Sequence, residues 1–403
     1  MPGELIPVDD AIAQLSAQAK LLVGIERVSL LDAVGRILAE DIVAPNSVPA
    51  FNNSAMDGYA VCAADVAGNV ANKVPVTISD RIPAGSVGKA LEQGTAARIF
   101  TGAPMPESAD AIVIQEDTEQ IGDTVLLKVS PSKGDHVRRA GQDIDAGSTI
   151  LAKGRKLRPQ DIGLAASVGC SEILIYQKLK VGVMSTGDEL VDPPAALGPG
   201  QIYNSNHYTL QALVRQLGME PIDLGMVVDT PEATELALIK GDELADCILS
   251  SGGVSVGEED HVKAVVEKLG ALDLWRLAIK PGKPLAYGRI AETPFFGLPG
   301  NPVSGFVTFT LIARDYLLRC QGCTETDLTT VYGAADFTAK GGSRREYFRV
   351  QIQFDENGNS KVSEYSNQGS GVMSSVSWAN GLAEIEIGQS VKPGDRVKVL
   401  LLS

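Results

Sequence analysis

The sequence predicts a multidomain protein that combines an α/β domain built on a parallel sheet with smaller β domains. The chain has 403 residues, and because single cores seldom grow beyond about 250–300 residues, several domains are expected. Residues 179–328 alternate apolar strand-like runs with helical patterns, which is typical of a parallel sheet wrapped by helices. Residues 50–140 and 329–403 show short alternating runs separated by Gly and Pro, and this pattern indicates β structure.

Bulk composition excludes several classes of protein. The hydrophobic share is 44% and the formal net charge is -15, so binding to nucleic acid or to anionic lipid is not expected, since both need a basic surface. The N-terminus has no signal-peptide pattern, and no segment approaches the ~18 apolar residues of a membrane helix. The five cysteines are mostly scattered, which favours reduced thiols. We therefore expect a cytoplasmic protein without a membrane segment.

The first segment of the chain has a mixed pattern. Residues 8–23 carry apolar side chains at helical spacing, which predicts an amphipathic helix, and short apolar strands follow before Pro45 and Pro49. Residues 141–178 again show mixed helix and strand patterns, with a helix predicted over 159–167. The β segment 50–140 is thus interpreted as an insertion between the two halves of one mixed domain, residues 1–49 and 141–178.

The loops that follow the predicted strands of the α/β domain carry most of the polar chemistry. Ligands of such folds bind beyond the carboxyl ends of the strands, and five polar loops are predicted at that edge. They are residues 185–189, 229–230, 250–260, 280–284 and 298–304.

The loop at residues 250–260 has the composition of an anion-binding site at the start of a helix. Gly252 and Gly253 allow backbone N–H groups to point at one ligand, and Ser251 and Ser255 add hydroxyl groups. Glu258, Glu259 and Asp260 bring carboxylates to the same place, and these repel a bare phosphate. The combination predicts a phosphate group together with a divalent cation.

Neighbouring loops supply cations and further carboxylates. No Walker A motif is present, so a phosphate would be held by the serine-glycine loop with Lys280 and Lys283, although a solvated basic turn explains the two lysines equally well. Glu189, Asp229 and Asp260 each follow a predicted strand and could converge on Mg²⁺; each one alone would more often be a helix cap. The predicted chemistry is metal-assisted reaction at a phosphate group.

Taken together, the loops resemble one family, the molybdopterin molybdenumtransferases of the MoeA type, to which the C-terminal part of gephyrin is related. The resemblance covers nearly the whole chain, and its motifs stand in the family's order. They are residues 53–60, 101–104, 185–190, 251–257 with Asp260, 279–284, 298–304 and 343–346.

The resemblance implies a fold and a reaction. The implied fold is an elongated mixed domain (1–49 and 141–178), an inserted β domain (50–140), a MogA-like α/β domain (179–328) and a C-terminal β-barrel (329–403). The implied reaction inserts molybdate into adenylylated molybdopterin with Mg²⁺ and releases AMP. A homodimer with a shared active cleft is also implied, and contact with the adenylyltransferase of the same pathway is compatible with it.

The resemblance and the loops together give the expected site. Catalytic roles are expected for Asp57, Thr101, Glu189 and Asp260, and metal binding for Glu189, Asp229 and Asp260. Spacing alone would make Asp57 part of a hairpin turn with Gly58, whereas the resemblance places this loop against the partner subunit's cleft. Arg276 stands where relatives carry lysine. The expected substrate-binding residues are Asp143, Asp229, Ser251, Gly252, Gly253, Ser255, Lys280, Lys283, Pro299, Asn301, Arg345 and Ser370.

Two other functions are compatible with parts of the sequence. An adenylyltransferase acting one step earlier would have a similar α/β domain, but the additional β domains and the loop around Asp57 favour the later step. A non-enzymatic scaffold of the gephyrin kind is disfavoured because no fused module or long linker is visible.

Overall fold

The computed structural model describes residues 5–253 and 261–402, and of Leu274 and Trp275 it describes the backbone only. Within these residues no helix is both long and apolar enough to cross a membrane. The chain forms four structural units, which are taken here in the order that leads to the site.

The α/β unit is built on a six-stranded sheet. Four parallel strands are followed by an antiparallel hairpin at one edge. In spatial order the strands are Glu220–Val227, Lys180–Thr186, Cys247–Ser251, Thr293–Leu298, Pro284–Ile290 and Gly270–Arg276. Short strands at Leu190–Val191 and Ile202–Tyr203 pair beside it. The helices are Ser205–Gln216, Pro231–Leu244, His261–Leu269 and the continuous run Pro302–Thr308, Phe309–Ala313 (a π turn) and Arg314–Cys320.

Burial on both faces explains the apolar runs of this sheet. Every residue of Cys247–Ser251 is buried, and so are six of the seven in Lys180–Thr186. A strand covered by helices on both sides shows a continuous apolar run instead of alternation. The sequence-based prediction of a parallel α/β domain is therefore confirmed, while the strand Pro284–Ile290 is an element that the sequence pattern did not reveal.

The elongated unit is formed by two separated segments that pair with each other. Ile25–Ser29 lies antiparallel to Glu172–Tyr176, and Ile42–Val43 lies antiparallel to Thr149–Leu151. The helix Pro159–Ser167 and the 3₁₀ turn Leu31–Ala33 complete this unit. The first helix, Val8–Gln18, packs on the α/β unit, where Leu15 joins the core and Ser16 donates a hydrogen bond to Asp315 at 2.5 Å.

A buried carboxylate fixes the start of the helix Pro159–Ser167. Asp161 is 3% exposed; it accepts hydrogen bonds from the Arg158 backbone N–H at 2.9 Å and side chain at 3.0 Å, and it lies 3.2 Å from Arg155. The hydrogen bond from the Arg158 side chain is the main cause of the lowered pKa of Asp161. The carboxylate therefore stabilises the fold above pH 3.8, its ordinary pKa, and loses this effect as pH falls through the lowered value.

We expect Asp161→Asn to cost about 2 kcal/mol and to lower Tm by about 4–8 °C at pH 7. Calorimetric unfolding measures this, and the difference from the parent chain should shrink in acid. Asp336→Asn is the matched control, because its partner Lys361 at 3.0 Å is 65% exposed and such pairs contribute at most about 1 kcal/mol. Equal Tm shifts for the two variants would contradict this account.

The inserted unit is a six-stranded mixed sheet with one helix. In spatial order the strands are Ala111–Ile114, Gly58–Val61, Thr95–Ile99, Val76–Ile82, Thr124–Leu127 and Thr118–Ile121. A separate two-stranded ribbon pairs Asn53–Ser54 with Val137–Arg138, and the 3₁₀ turn Gln115–Asp117 joins two strands. The helix Ala63–Asn72 was not evident from the sequence, because its residues are mostly Ala, Asn and Gly and only Val66 is buried.

The C-terminal unit is a closed five-stranded barrel, as the family resemblance implied. Its strands follow the order Arg345–Phe354, Ser360–Glu364, Thr330–Ala335, Arg396–Leu401 and Gly381–Ile385, and the last pairs with the first. Ala339–Lys340 pairs with Ser390–Val391, and a short helix spans Met373–Trp378. Ile279–Lys280 of the α/β unit adds to this barrel, parallel to Arg345–Phe354.

Candidate active site

The strand-end loops of the α/β unit meet around two adjoining cavities. The first, of about 560 Å³, is called the lysine cavity, and the second, of about 400 Å³, the acidic cavity. Both are lined by Gly252, Gly253, Gly300 and Asn301, so these residues form a common wall. The five loops predicted to share one edge of the sheet do converge there.

The lysine cavity lies between the α/β unit and the barrel. The α/β unit contributes Lys280, Lys283, Pro299 and Ser304, and the barrel contributes Arg344 and residues 368–370. The Lys280 ammonium group donates to the Glu346 carboxylate at 2.9 Å, and Glu346 also accepts the Gly342 N–H at 3.2 Å. With three cationic side chains on its wall, this cavity suits an anionic ligand.

The barrel loop at residues 368–370 is held from behind by a buried arginine. Arg349 is 1% exposed; its guanidinium donates to the Gly369 carbonyl at 3.3 Å and to Ser375 Oγ at 3.1 Å. Burial lowers the pKa of Arg349 to about 10, so the group stays charged at neutral pH. Arg349 therefore supports the loop that presents Ser370 to the lysine cavity.

The acidic cavity has two carboxylates on its wall, Glu189 and Asp229. Asp188 connects their loops, because its carboxylate accepts the Asp229 N–H at 3.3 Å. Thr230, not Asp229, caps the helix Pro231–Leu244 by accepting the Ala233 N–H at 3.3 Å. Asp229 therefore does not cap this helix, although its position in the sequence suggested a cap.

The serine-glycine loop needs glycine for two reasons. Gly252 and Gly253 have φ values of +91° and +69°, which side-chain-bearing residues rarely adopt. A Cβ atom on Gly252 would lie 2.8 Å from the Thr186 carbonyl oxygen, and one on Gly253 would collide with Val262. The Gly252 N–H donates to the Leu298 carbonyl at 3.2 Å. The two glycines therefore let three loops pack together at the common wall.

Oxygen ligands at the acidic cavity fit a hard divalent cation. Glu189 and Asp229 are carboxylates of the kind that Mg²⁺ prefers. Among residues 5–253 and 261–402, no group of three His, Cys, Asp or Glu side chains is close enough to hold a metal ion. Asp260, the third expected ligand, and Ser255 lie outside the described residues. The two carboxylates that are described are compatible with a Mg²⁺ ion whose remaining ligands are water or substrate oxygens.

Three other expected residues, Asp57 and Thr101 of the inserted unit and Asp143 of the elongated unit, do not line the two cavities. Asp57 accepts hydrogen bonds from the Thr101 backbone N–H and hydroxyl, both at 2.8 Å. These bonds, the backbone one first, lower the pKa of Asp57. Asp57 does not form a hairpin turn, since the strands on either side of it pair with other strands. Asp143 is exposed, and its N–H donates to the Val48 carbonyl at 3.0 Å.

The neighbouring side chains of Arg344 and Arg345 contact different parts of the protein. Arg344 lines the lysine cavity and donates to the Ile279 carbonyl at 2.9 Å. Arg345, the residue expected to bind substrate, pairs instead with Asp9 at 2.9 Å and with Glu386 at 3.1 Å. Arg276 ends the edge strand, where its carbonyl accepts the Ile6 N–H at 2.7 Å.

The structure thus gathers most of the expected site. Ten of the expected residues line the two cavities, namely Glu189, Asp229, Ser251, Gly252, Gly253, Lys280, Lys283, Pro299, Asn301 and Ser370. Asp57, Thr101, Asp143 and Arg345 are not among the described lining residues. Arg344, Asn206 and Ser304 line the cavities but were not singled out from the sequence. Arg344 belongs to a quoted motif, but nothing in that motif distinguishes it from Arg345.

This fold and cleft define an α/β protein whose candidate ligand site lies beyond the carboxyl ends of a parallel sheet. Three family models match it. Residues 6–169 match the MoeA N-terminal region (domain I and II), residues 182–319 a probable molybdopterin binding domain, and residues 332–402 the MoeA C-terminal region (domain IV). The chain belongs to the MoeA family.

Individual relatives are similar to this chain over nearly its full length. A Haemophilus influenzae protein named molybdopterin molybdenumtransferase is 36% identical over 400 residues, with 98% of each chain covered. Molybdopterin molybdenumtransferase 2 of Mycobacterium tuberculosis is 38% identical over 371 residues, covering 89% of this chain and 90% of that one. The crystal structure of the molybdopterin biosynthesis MoeA protein from Pyrococcus horikoshii OT3 superposes with a TM-score of 0.85 at 30% identity, covering 99% of this chain and 100% of that chain.

Proposed function

We propose that this protein is a molybdopterin molybdenumtransferase, which inserts molybdate into adenylylated molybdopterin and releases AMP in a Mg²⁺-dependent reaction. The observation that carries the proposal is the common wall: a cavity with cationic side chains adjoins a cavity with two carboxylates across Gly252, Gly253, Gly300 and Asn301. The full-length relatives from Haemophilus influenzae and Mycobacterium tuberculosis that carry this enzyme name support it.

In this proposal the lysine cavity binds the substrate's negative oxygens and the acidic cavity binds the cation. Lys280, Lys283 and Arg344 bind the negative oxygens of the substrate and orient it against the serine-glycine loop. Glu189 and Asp229, with Asp260, would hold Mg²⁺, which would neutralise charge on the phosphoanhydride that is cleaved when AMP leaves. The rigid glycine wall keeps both groups of side chains at a fixed separation, which lowers the entropy cost of bringing the reacting groups together.

The proposal includes a homodimer. Asp57 and Thr101 lie together in the inserted unit, while the cavity-lining residues described come from the α/β unit and the barrel. A second subunit would bring its own Asp57 and Thr101, and with them Asp143, to the open side of this cleft. A cytoplasmic location and transfer of substrate from the adenylyltransferase of the pathway belong to the same proposal.

Carboxylate substitutions test the reaction. We expect Glu189→Gln and Asp260→Asn each to lower the rate of molybdate-dependent AMP release from adenylylated molybdopterin by about a hundredfold, since each removes a charged ligand of the cation. Glu243→Gln, an exposed glutamate in the helix Pro231–Leu244, serves as the control with an unchanged rate. Unchanged rates in both site variants would refute the metal assignment, and AMP transfer to unadenylylated molybdopterin from ATP would indicate the adenylyltransferase instead.

A further inference from the structure

The side chain of Asn206 connects two walls of the cleft. Its amide nitrogen donates to Ser251 Oγ at 2.8 Å and to the Gly300 carbonyl at 2.7 Å. Gly300 O can only accept, so the nitrogen and not the oxygen of the amide must face this pair. Both N–H groups of Asn206 are therefore used, one for the serine-glycine loop and one for the loop at residues 298–304.

This arrangement determines what the Ser251 hydroxyl can do. Ser251 is 3% exposed and lines the acidic cavity. Its oxygen accepts from Asn206, so its single O–H must point to another acceptor. Within residues 5–253 and 261–402 the hydrogen bonds include none that Ser251 Oγ donates to a protein group. As far as the described residues go, an acceptor inside the cavity can therefore take the O–H.

We propose that Asn206 is a positioning residue that makes Ser251 a hydrogen-bond donor to a phosphate oxygen of the ligand. The inference rests on the proposed function in taking that ligand to be a phosphate ester. Asn206 is the second residue of the helix Ser205–Gln216, whose cap is Asn204. Its backbone is therefore fixed, and its side-chain nitrogen is held by two hydrogen bonds, so it acts as a support for Ser251.

Asn206→Asp is the informative substitution because it reverses the polarity of this contact. An aspartate at residue 206 can only accept, so the Ser251 hydroxyl would donate to it and be lost to the ligand. Asn206→Ala removes the support but leaves the hydroxyl free to rotate. The Gly300 carbonyl would lose its donor in both variants, so both should lower Tm, whereas only Asn206→Asp should withdraw the Ser251 hydroxyl from the ligand.

The test measures AMP binding in the presence of Mg²⁺ by calorimetry, together with Tm. We expect Asn206→Asp to weaken AMP binding by about ten- to a hundredfold, the usual effect of a lost hydrogen bond to a charged group. Asn206→Ala should weaken it less, while both variants should have a lower Tm than the parent chain because each removes the donor to the Gly300 carbonyl. In a Ser251→Ala background the two variants should bind AMP equally.

The possible outcomes separate this inference from the proposed function. If the parent chain binds AMP but the two variants have equal affinity, the role of Asn206 is refuted and the proposed function stands. A difference that persists in the Ser251→Ala background would show simple charge repulsion and would also refute it. Failure of the parent chain to bind AMP would overturn the proposed function and this inference together.

Discussion

A chain with Asp57→Asn and a chain with Lys280→Ala are each expected to be nearly inactive alone and to regain activity when mixed. Asp57 is hydrogen-bonded to Thr101 in the inserted unit, whereas Lys280 lines the lysine cavity. If the two act in one cleft across subunits, a mixed dimer has one cleft with both residues intact. Random exchange of two chains in equal amounts should restore about a quarter of the parent activity.

The losses in the separate variants should be large. Lys280 is one of three cations on the wall of the lysine cavity, and loss of a charged hydrogen bond to phosphate costs about 1.5–3 kcal/mol, or roughly ten- to more than a hundredfold in rate. Copurification of tagged with untagged chains checks that subunits exchange. If exchanged mixtures stay as inactive as their components, Asp57 and Lys280 do not meet in a shared cleft.

Gly252→Ala is expected to abolish ligand binding at both cavities. The added Cβ would lie 2.8 Å from a backbone oxygen of Thr186, at a residue with φ of +91°. Because a carbonyl in a buried strand cannot move aside, the serine-glycine loop must shift, and Gly252 lines both cavities. We expect AMP affinity and turnover to fall at least about a hundredfold, an effect comparable to removing a preorganised donor set.

Gly358→Ala is the control that distinguishes the cost of the positive φ from the cost of the close contact that Gly252→Ala creates. Gly358 has φ of +79° but no heavy atom within 4 Å of the added Cβ, and it lies in a turn of the barrel away from both cavities. The substitution should cost about 1–2 kcal/mol of stability through φ alone and leave AMP affinity unchanged. If Gly252→Ala behaves in the same way, the close packing at the common wall has no role in binding.

Local patterns in the sequence were sufficient for most of the fold. The strands and helices of the α/β unit could be predicted because their buried residues recur at regular spacing along the sequence. This spacing is visible as apolar periodicity. The hairpin strand Pro284–Ile290 was missed because it begins at a proline and follows a loop that reads as a turn. Packing of Val8–Gln18 on Arg314–Cys320 joins residues some 300 positions apart, which no local pattern reports.

The candidate site could be predicted where topology alone brings residues together. Parallel strands end at one edge, so the loops carrying Glu189, Asp229 and Ser251 had to be neighbours. Membership of the MoeA family, expected from the motifs, is confirmed by the family models. The choice between Arg344 and Arg345 depended on which side of a barrel strand faces the cavity, and the bond from Asn206 to Gly300 depended on side-chain geometry, so neither was accessible from sequence.

The strand Ile279–Lys280 limits which domains can be exchanged between relatives. It pairs with Arg345 and Glu346 of the barrel, so the backbone that carries Lys280 belongs to two structural units at once. A barrel transplanted from a relative would have to reproduce the register of this pairing, or Lys280 would be displaced relative to the glycine wall. The α/β unit and the barrel are therefore best regarded as one inherited piece, whereas the strands described for the inserted unit pair only among themselves.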